Sequence, residues 1–373
     1  MLIHFSILGV ILITCLMFEK KNKNHALYCI AKNEPFKTQL LPWLLIFGYI
    51  AFLAAMRTKV NDTGTYIRSF NSLETSWQAF WSQVSSAGEG KDWAFDAVSI
   101  LFKMFISENY HWWFALYAVI ELLAFIYILR RYSVSVLDAC FFFFCSTLYY
   151  NYFSMMRQWF AIAILFAASR FIENKKFIKY LLVCLFVAQF HASAYFMIPV
   201  YFIVQGRAWS RKQTTIIGIF TVGMLFLNPL LNAMEKTLSD TTYDYAISAM
   251  NSNSGSSIIR AFIAAVPVVL AFIYRDNIDN PMINICVNMS LLNLLLNILA
   301  AFTSGLFIIR MSGYMGIYSV ILYPYLLNVC IKGTDRNIIK PLFYIIYFAF
   351  YIYQMNHGTA AWYYGSDILG VFE

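Results

Sequence analysis

The sequence predicts an all-α membrane protein, a polytopic helical bundle of about twelve membrane segments, some of them half-length. Three observations predict it. Hydrophobic residues make up 61% of the 373-residue chain and charged residues only 12%, a composition outside the range of a water-soluble domain with one core. Apolar runs of roughly 17 to 25 residues, each enough to cross about 30 Å of hydrocarbon as a helix, recur along most of the chain. Lysine and arginine gather in alternate connections between those runs, the pattern that orients membrane helices.

In chain order the spans fall at 2–18, 40–56, 110–129, 136–153, 158–174, 213–232, 258–274, 282–303, 308–330 and 341–356. The first lacks a basic leader and a small-residue cleavage site, so it reads as a retained helix and not a signal peptide. The run 180–204 is read from charge parity. Lys20, Lys21, Lys23, Lys32, Lys37, Arg130, Arg131, Arg170, Lys175, Lys176, Lys179, Arg207, Arg211, Lys212, Arg275, Lys332, Arg336 and Lys340 are 18 of the 27 cations. They share one side, the cytoplasmic one, only if 180–204 crosses an even number of times. Two half-length helices meeting near His191 satisfy that; such broken helices are tolerated where they line a protein-enclosed cavity. One continuous helix is the alternative. On the hairpin reading both termini face outward, and residues 1–373 form a single integral membrane domain with outer loops at 57–109 and 232–257.

Composition also removes function classes. The net charge of +8 is mostly cytoplasmic bias and implies membrane lipids, not nucleic acid, as the partner. The seven cysteines, Cys15, Cys29, Cys140, Cys145, Cys184, Cys286 and Cys330, lie in spans or on the cytoplasmic side, so neither a disulfide framework nor a zinc site is implied. There is no DxD, HExxH, GxxxxGKS/T, GxSxG or CxxC sequence, so no metal and no cofactor is expected. Phosphate charge would have to be met by arginine. Glu121 and Asp138 are the intramembrane acids, and they form no evident relay for a proton-driven pump.

On the outer side, where positive charge should be scarce, Arg57, Arg68, Arg157, Arg260 and Arg310 sit at the ends of apolar segments. That excess asks for an anionic ligand. Arg157, in NYFSMMRQWFAIAI, opens a helix, where the helix dipole already favours an anion and a guanidinium can fork onto two phosphate oxygens. A snorkelling helix-end arginine is the alternative for each. His191, in AQFHASAYF, is costly inside an apolar stretch unless bonded or facing a cavity, and could act as a base. Asp62 follows Arg57 closely in MRTKVNDTGTY, which suggests that a loop brings carboxylate and guanidinium to one rim. The outer segment 57–109 also carries Tyr66, Trp77, Trp81, Asp92, Trp93 and Asp96, with 95–107 (FDAVSILFKMFIS) expected to lie in the interface. The second, 232–257, carries Asp240, Tyr243, Asp244 and Tyr245. Rings and carboxylates together suit sugar, since rings stack on pyranose faces and carboxylates accept hydroxyl protons; an ordinary interfacial aromatic belt is the alternative.

Three elements in order, RTKVNDTGTYIRSF (Arg57 to Phe70), the Met156 to Phe202 stretch with its RQ and FH-SA elements, and IIRMSGYMGIY (Ile308 to Tyr318), resemble the EpsG family of bacterial exopolysaccharide proteins, related to Wzy-type polysaccharide polymerases. The resemblance spans nearly the whole chain. Two elements depart from the family pattern: VNDTGTY lacks the glycine common before the aspartate, and DWAF (Asp92 to Phe95) replaces an EPGY-like segment. The resemblance implies a GT-C-like membrane glycosyltransferase on the outer face of the bacterial cytoplasmic (inner) membrane, joining polyprenyl-pyrophosphate-linked oligosaccharide repeat units into O-antigen, capsule or exopolysaccharide. A chain-length regulator protein is the implied protein partner. Arg157 and Arg310, then Arg57 and Arg260, are assigned to the pyrophosphate. Asp62 and His191 compete for the base, with Asp92 third. Tyr66, Gln158 and Tyr314, from the same three elements, are assigned to the glycan. A lipid-linked-oligosaccharide transporter, or another lipid-dependent transferase or ligase, stays open as an alternative.

Overall fold

Apolar composition and helix propensity give helices almost throughout, and polar bonds between them fix their directions. The computed structural model describes residues 2–32, 34–85, 92–226, 257–303, 305–357 and 362–372. It divides into two compact units, Met1–Ile198 with Tyr323–Glu373, and Pro199–Leu322. Among the described residues, four helices are long and apolar enough to cross a membrane: Leu2–Ala31, Tyr110–Tyr132, Pro281–Phe302 and Gly333–His357. The other apolar helices are shorter. The loop expected at 232–257, with Asp240, Tyr243, Asp244 and Tyr245, lies outside the described residues up to Ser257.

In the first unit, α1 (Leu2–Ala31), α2 (Leu40–Met56) and α6 (Tyr110–Tyr132) run alternately up and down. The Ser6 and Tyr49 hydroxyls meet at 2.7 Å and Gln39 N donates to Asn22 Oδ1 at 2.7 Å, so α1 and α2 are antiparallel. Thr38 N donates to Arg130 O at 2.9 Å and His111 Nδ1 to Ala55 O at 2.9 Å, which sets α6 antiparallel to α2. Glu19 accepts from Ser135 Oγ and Leu137 N, at 2.5 and 2.9 Å. Together with the bond from Lys340 Nζ to Asp138 Oδ2 at 2.8 Å, these gather the basic stretches 20–37, 130–131 and 336–340 at one end of the unit and leave Arg57 at the other.

Several expected spans are broken. Thr147, at φ 61°, divides 136–153 into α7 (Val136–Cys145) and α8 (Leu148–Ser154). The 158–174 span divides at Ala168 into α9 (Met156–Ala167) and α10 (Ser169–Glu173). The break near His191 is present: α11 (Phe177–Ala188) ends, His191 takes extended backbone (φ −156°), and a 3-10 turn, Ala192–Phe196, leads into α12 (Met197–Val204). Between α2 and α6 the expected loop is three helices, α3 (Thr63–Ser72), α4 (Trp77–Ser85) and α5 (Trp93–Phe105). The stretch 95–107, expected to lie in the interface or dip into it, falls mostly within α5. The apolar stripe of α5 puts Phe95 and Phe102 into a core with Phe70, Trp113, Tyr117 and Phe160, while α4 buries no residue and exposes Trp77 and Trp81. Lys103 ties α5 to the end of α3 by donating to the carbonyls of Phe70, Asn71 and Leu73 at 2.8–3.1 Å.

No element was expected beyond 356, yet the chain after the last helix returns to the Arg57 end of the unit. The hairpin β1 (Gly365–Ser366) and β2 (Val371–Phe372) pairs through Gly365 with Lys59, and Thr58 N donates to Gly365 O at 2.7 Å. Only glycine fits there, since a Cβ would stand 2.7 Å from Lys59 Cβ.

The second unit is built on α13 (Arg211–Leu225), α14 (Ile258–Ile273), α15 (Pro281–Phe302) and α16 (Gly305–Gly316), with α15 packed against the other three. Asn280 caps α15 through Met282 N and Ile283 N, and Pro281 occupies its first turn, where its missing N–H costs nothing. Asn284 and Asn288 on this apolar helix satisfy the loop before α13: Asn284 Oδ1 accepts Ala208 N at 2.7 Å and Asn288 Nδ2 donates to Val204 O at 2.8 Å. The expected span 308–330 is likewise divided. Its later part, α17 (Ser319–Tyr325) with Pro324 inside, passes into a π turn at Leu326–Cys330, and Tyr323 onward belongs to the first unit, as does α18 (Gly333–His357).

Candidate active site

The break after α11 leaves backbone groups without helical partners, and the start of α5 is fastened to them. Ala94 N donates to Gln189 O at 3.1 Å, and Trp93 Nε1 to Gln189 Oε1 at 2.7 Å. Asp92 occupies the N-cap position of α5, but at φ 64° its carboxylate does not cap its own helix. A left-handed aspartate is tolerated at a cost of order 1 kcal/mol. This backbone turns the carboxylate toward the break. Oδ1 accepts Ala192 N at 3.1 Å, and Oδ2 lies 3.3 Å from His191 Nδ1 and 3.4 Å from Arg157 Nη1.

Arg157, in the first turn of α9, lies with its guanidinium carbon 4.6 Å from the Phe95 ring centroid and 5.9 Å from that of Tyr66. Its Nη2 is 3.8 Å from Asp96 Oδ1, beyond hydrogen-bond distance. Its Nε is buried with no hydrogen-bond partner among the described residues. The fork is thus held in place by rings and charge, and among the described residues Nη1 is its one nitrogen within hydrogen-bond distance of a side-chain acceptor. Arg157 and His191 each keep 27% of their side-chain surface open, against 12% for Asp92.

The two carboxylates differ. Burial pushes Asp92 up, but the His191 hydrogen bond and charge, the Ala192 N–H and Arg157 together outweigh it, leaving Asp92 below its usual range. Burial also pushes Asp96 up, and there Arg157 only partly offsets it while Asp92 adds to it, so Asp96 stays above its usual range. Asp92, within reach of Nδ1, orients the ring and leaves Nε2 as the nitrogen that can face a substrate. That is the arrangement of a base with its orienting carboxylate.

Of the residues singled out from sequence, the structure brings Asp92, His191, Arg157 and Tyr66 together. It does not bring Asp62 to Arg57. Asp62 is exposed at the start of α3, whereas Arg57 is 2% exposed. The Arg57 guanidinium donates to Ala54 O, to Thr63 Oγ1 at 3.3 Å and to Met156 Sδ at 3.9 Å, over the Phe114 ring at 4.2 Å. Carbonyls left open where α2 ends, together with a ring, hold this cation better than an exposed carboxylate would. Gln158 is buried in the first unit. Arg260, Arg310 and Tyr314 belong to the second unit, with Arg310 exposed and Tyr314 buried. Asp96 and Gln189 join the cluster without having been assigned to it; the four-residue step from Asp92 to Asp96, which puts both on one helix face, was the available signal.

A chain whose described residues lie mostly in apolar helices, with a charged cluster at one end of its first unit, is a membrane-embedded protein. The chain belongs to the EpsG family, whose model matches residues 40–365 and whose members are Wzy-like polysaccharide polymerases. That makes it a membrane protein of polysaccharide biosynthesis. The matched region contains the whole Asp92, Arg157 and His191 cluster. No curated protein and no solved structure matches the chain.

Proposed function

We propose that this protein polymerises polyprenyl-pyrophosphate-linked oligosaccharide repeat units into a bacterial surface polysaccharide, as a GT-C-like multi-pass glycosyltransferase of the inner membrane. The observation that carries this is an arginine fork with unused donors beside a carboxylate-oriented histidine. In the first unit the lysine-rich end is the cytoplasmic one by charge bias, which turns the Arg157 end outward. Repeat units on their lipid carrier present their phosphates at that height.

In the proposed reaction a hydroxyl of the incoming unit attacks the anomeric carbon of the lipid-linked chain. The new glycosidic bond forms as the bond to pyrophosphate breaks, and the hydroxyl proton passes to His191 Nε2. Asp92 orients the imidazole and stabilises the cation that forms. Arg157 meets the charge developing on the departing lipid pyrophosphate, the moment at which preorganised donors lower the barrier most. Among the three carboxylate and histidine candidates, the geometry favours His191 as base and Asp92 as its partner over Asp62. Arg57 holds the 57–63 turn. Arg310 and Arg260 are proposed as further pyrophosphate contacts, and Tyr66, Gln158 and Tyr314 as glycan contacts. No metal or cofactor enters this scheme, and a chain-length regulator protein is the proposed partner.

Arg157→Lys tests the proposal, because lysine keeps the charge and loses the fork. Loss of one such contact should cost about 10² to 10³ in rate, enough to leave single repeat units in place of long polysaccharide. Arg130→Lys, at the opposite end, is the control. Wild-type polysaccharide length in Arg157→Lys, at normal membrane levels, would reduce Arg157 to an interfacial anchor.

A further inference from the structure

The charge count around Arg157 does not suit an anion as it stands. One guanidinium faces the two carboxylates of Asp92 and Asp96, at 3.4 and 3.8 Å. An incoming phosphate would be repelled unless one carboxylate gave way. The two are not equally placed to do so. Asp92 is fixed by the Ala192 N–H, His191 and Arg157, and it is needed to orient the histidine. Asp96, one turn further along α5, accepts no hydrogen bond from a side chain among the described residues and touches the fork only at 3.8 Å. An arginine–carboxylate pair that serves stability closes to about 2.8 Å and uses two parallel bonds. This one is loose, and the neighbouring Nε is buried without a partner among the described residues.

We propose that Asp96 is a placeholder for the ligand's phosphate: it steadies the Arg157 guanidinium until an anion arrives, and that anion displaces it as its carboxyl takes up a proton. Asp96 is thereby a positioning residue that makes anion binding pH-dependent. The inference rests on the proposed anion site at Arg157. Its direction follows from linkage: an anion removes the Arg157 charge that favours the ionised form of Asp96, so binding and protonation favour each other. The groups facing Asp96 are Arg157 of α9, Asp92 of its own helix and Tyr117 of α6. Tyr66 lies beyond the guanidinium, and His191 reaches the cluster through Asp92.

The probe is sulfate, which keeps its charge from weakly acidic to weakly basic pH, titrated onto the purified full-length protein. Wild type should bind sulfate more tightly as pH falls, and Arg157→Ala should remove the binding. Asp96→Asn should bind about tenfold more tightly than wild type near pH 8, because one opposing charge is gone. The gap between the two affinities should narrow as pH falls and wild-type Asp96, held above its usual range, takes up its proton. Asp96→Ala should behave as Asp96→Asn and serves if the amide variant folds poorly. An unchanged or weaker affinity in Asp96→Asn near pH 8, with binding still dependent on Arg157, overturns the placeholder role alone. Sulfate binding indifferent to Arg157 removes both the site and the inference.

Discussion

Asp138 and Asp92 stand in polar clusters at opposite ends of the first unit, and their surroundings differ in almost every measure. Asp138 is fully buried and accepts Lys340 Nζ at 2.8 Å, Asn328 Nδ2 at 2.6 Å and the Tyr344 hydroxyl. Its neighbours are also engaged with one another: Lys340 and Arg336 both donate to Asn328 Oδ1, at 3.2 and 2.9 Å. Asp92 has contacts of 3.1 to 3.4 Å, a neighbour with idle donors, and access to solvent. Short and saturated bonds leave no room for a ligand, and they fasten α7 to α18. Long and unsaturated ones do little for the fold and are available to something that arrives.

The comparison predicts opposite phenotypes, and the largest is catalytic. His191→Ala should cost about 10² to 10⁴ in polymerisation rate, the usual contribution of a positioned base, while the extracted protein unfolds at the wild-type temperature. Repeat-unit consumption in membranes and a thermal melt in detergent measure the two sides. If the melt falls and the rate per folded molecule does not, the cluster around Asp92 is structural after all.

Next in size is the Asp138 cluster, where the loss should be of stability. Lys340→Met leaves a buried carboxylate without its cation, a change that typically costs about 3 to 5 kcal/mol. Asp138→Leu combined with Lys340→Met removes both charges and should recover much of that loss. A double variant no more stable than the single one would mean that the ion pair is not what holds α18 to α7.

How much of this was legible in sequence depends on the reach of each signal. Apolar runs are local, so the spans at 2–18, 40–56 and 282–303 could be read directly, although the first helix runs on through polar residues to Ala31, and charge parity called for an interruption near His191. Breaks set by one backbone angle, as at Thr147, carry no hydropathy signal. The site itself is assembled from residues far apart: Asp92 is 65 residues from Arg157 and 99 from His191. Their side-chain chemistry marked each as a candidate, but nothing local says which two meet. The same logic explains the error at Asp62, where nearness in sequence suggested an ion pair. Helix-end carbonyls and the Phe114 ring were competing partners for Arg57 that no spacing argument displays.

The smallest expected effect tests which side of the comparison the C-terminal strap belongs to. Tyr364 is fully buried and donates to Leu53 O at 2.8 Å, just before the Gly365 bridge to Lys59. Its bond is short and its surroundings closed, as around Asp138, although the strap lies at the same end of the unit as Arg57. Tyr364→Phe keeps the ring and deletes one hydrogen bond to the Leu53 carbonyl. The expected cost is about 1 kcal/mol, read as a small fall in the detergent melt, with polysaccharide length unchanged. Shortened polysaccharide at an unchanged melting temperature would instead join the strap to the reaction, and closeness to the Arg157 end would then count for more than saturation of hydrogen bonds in telling function from support.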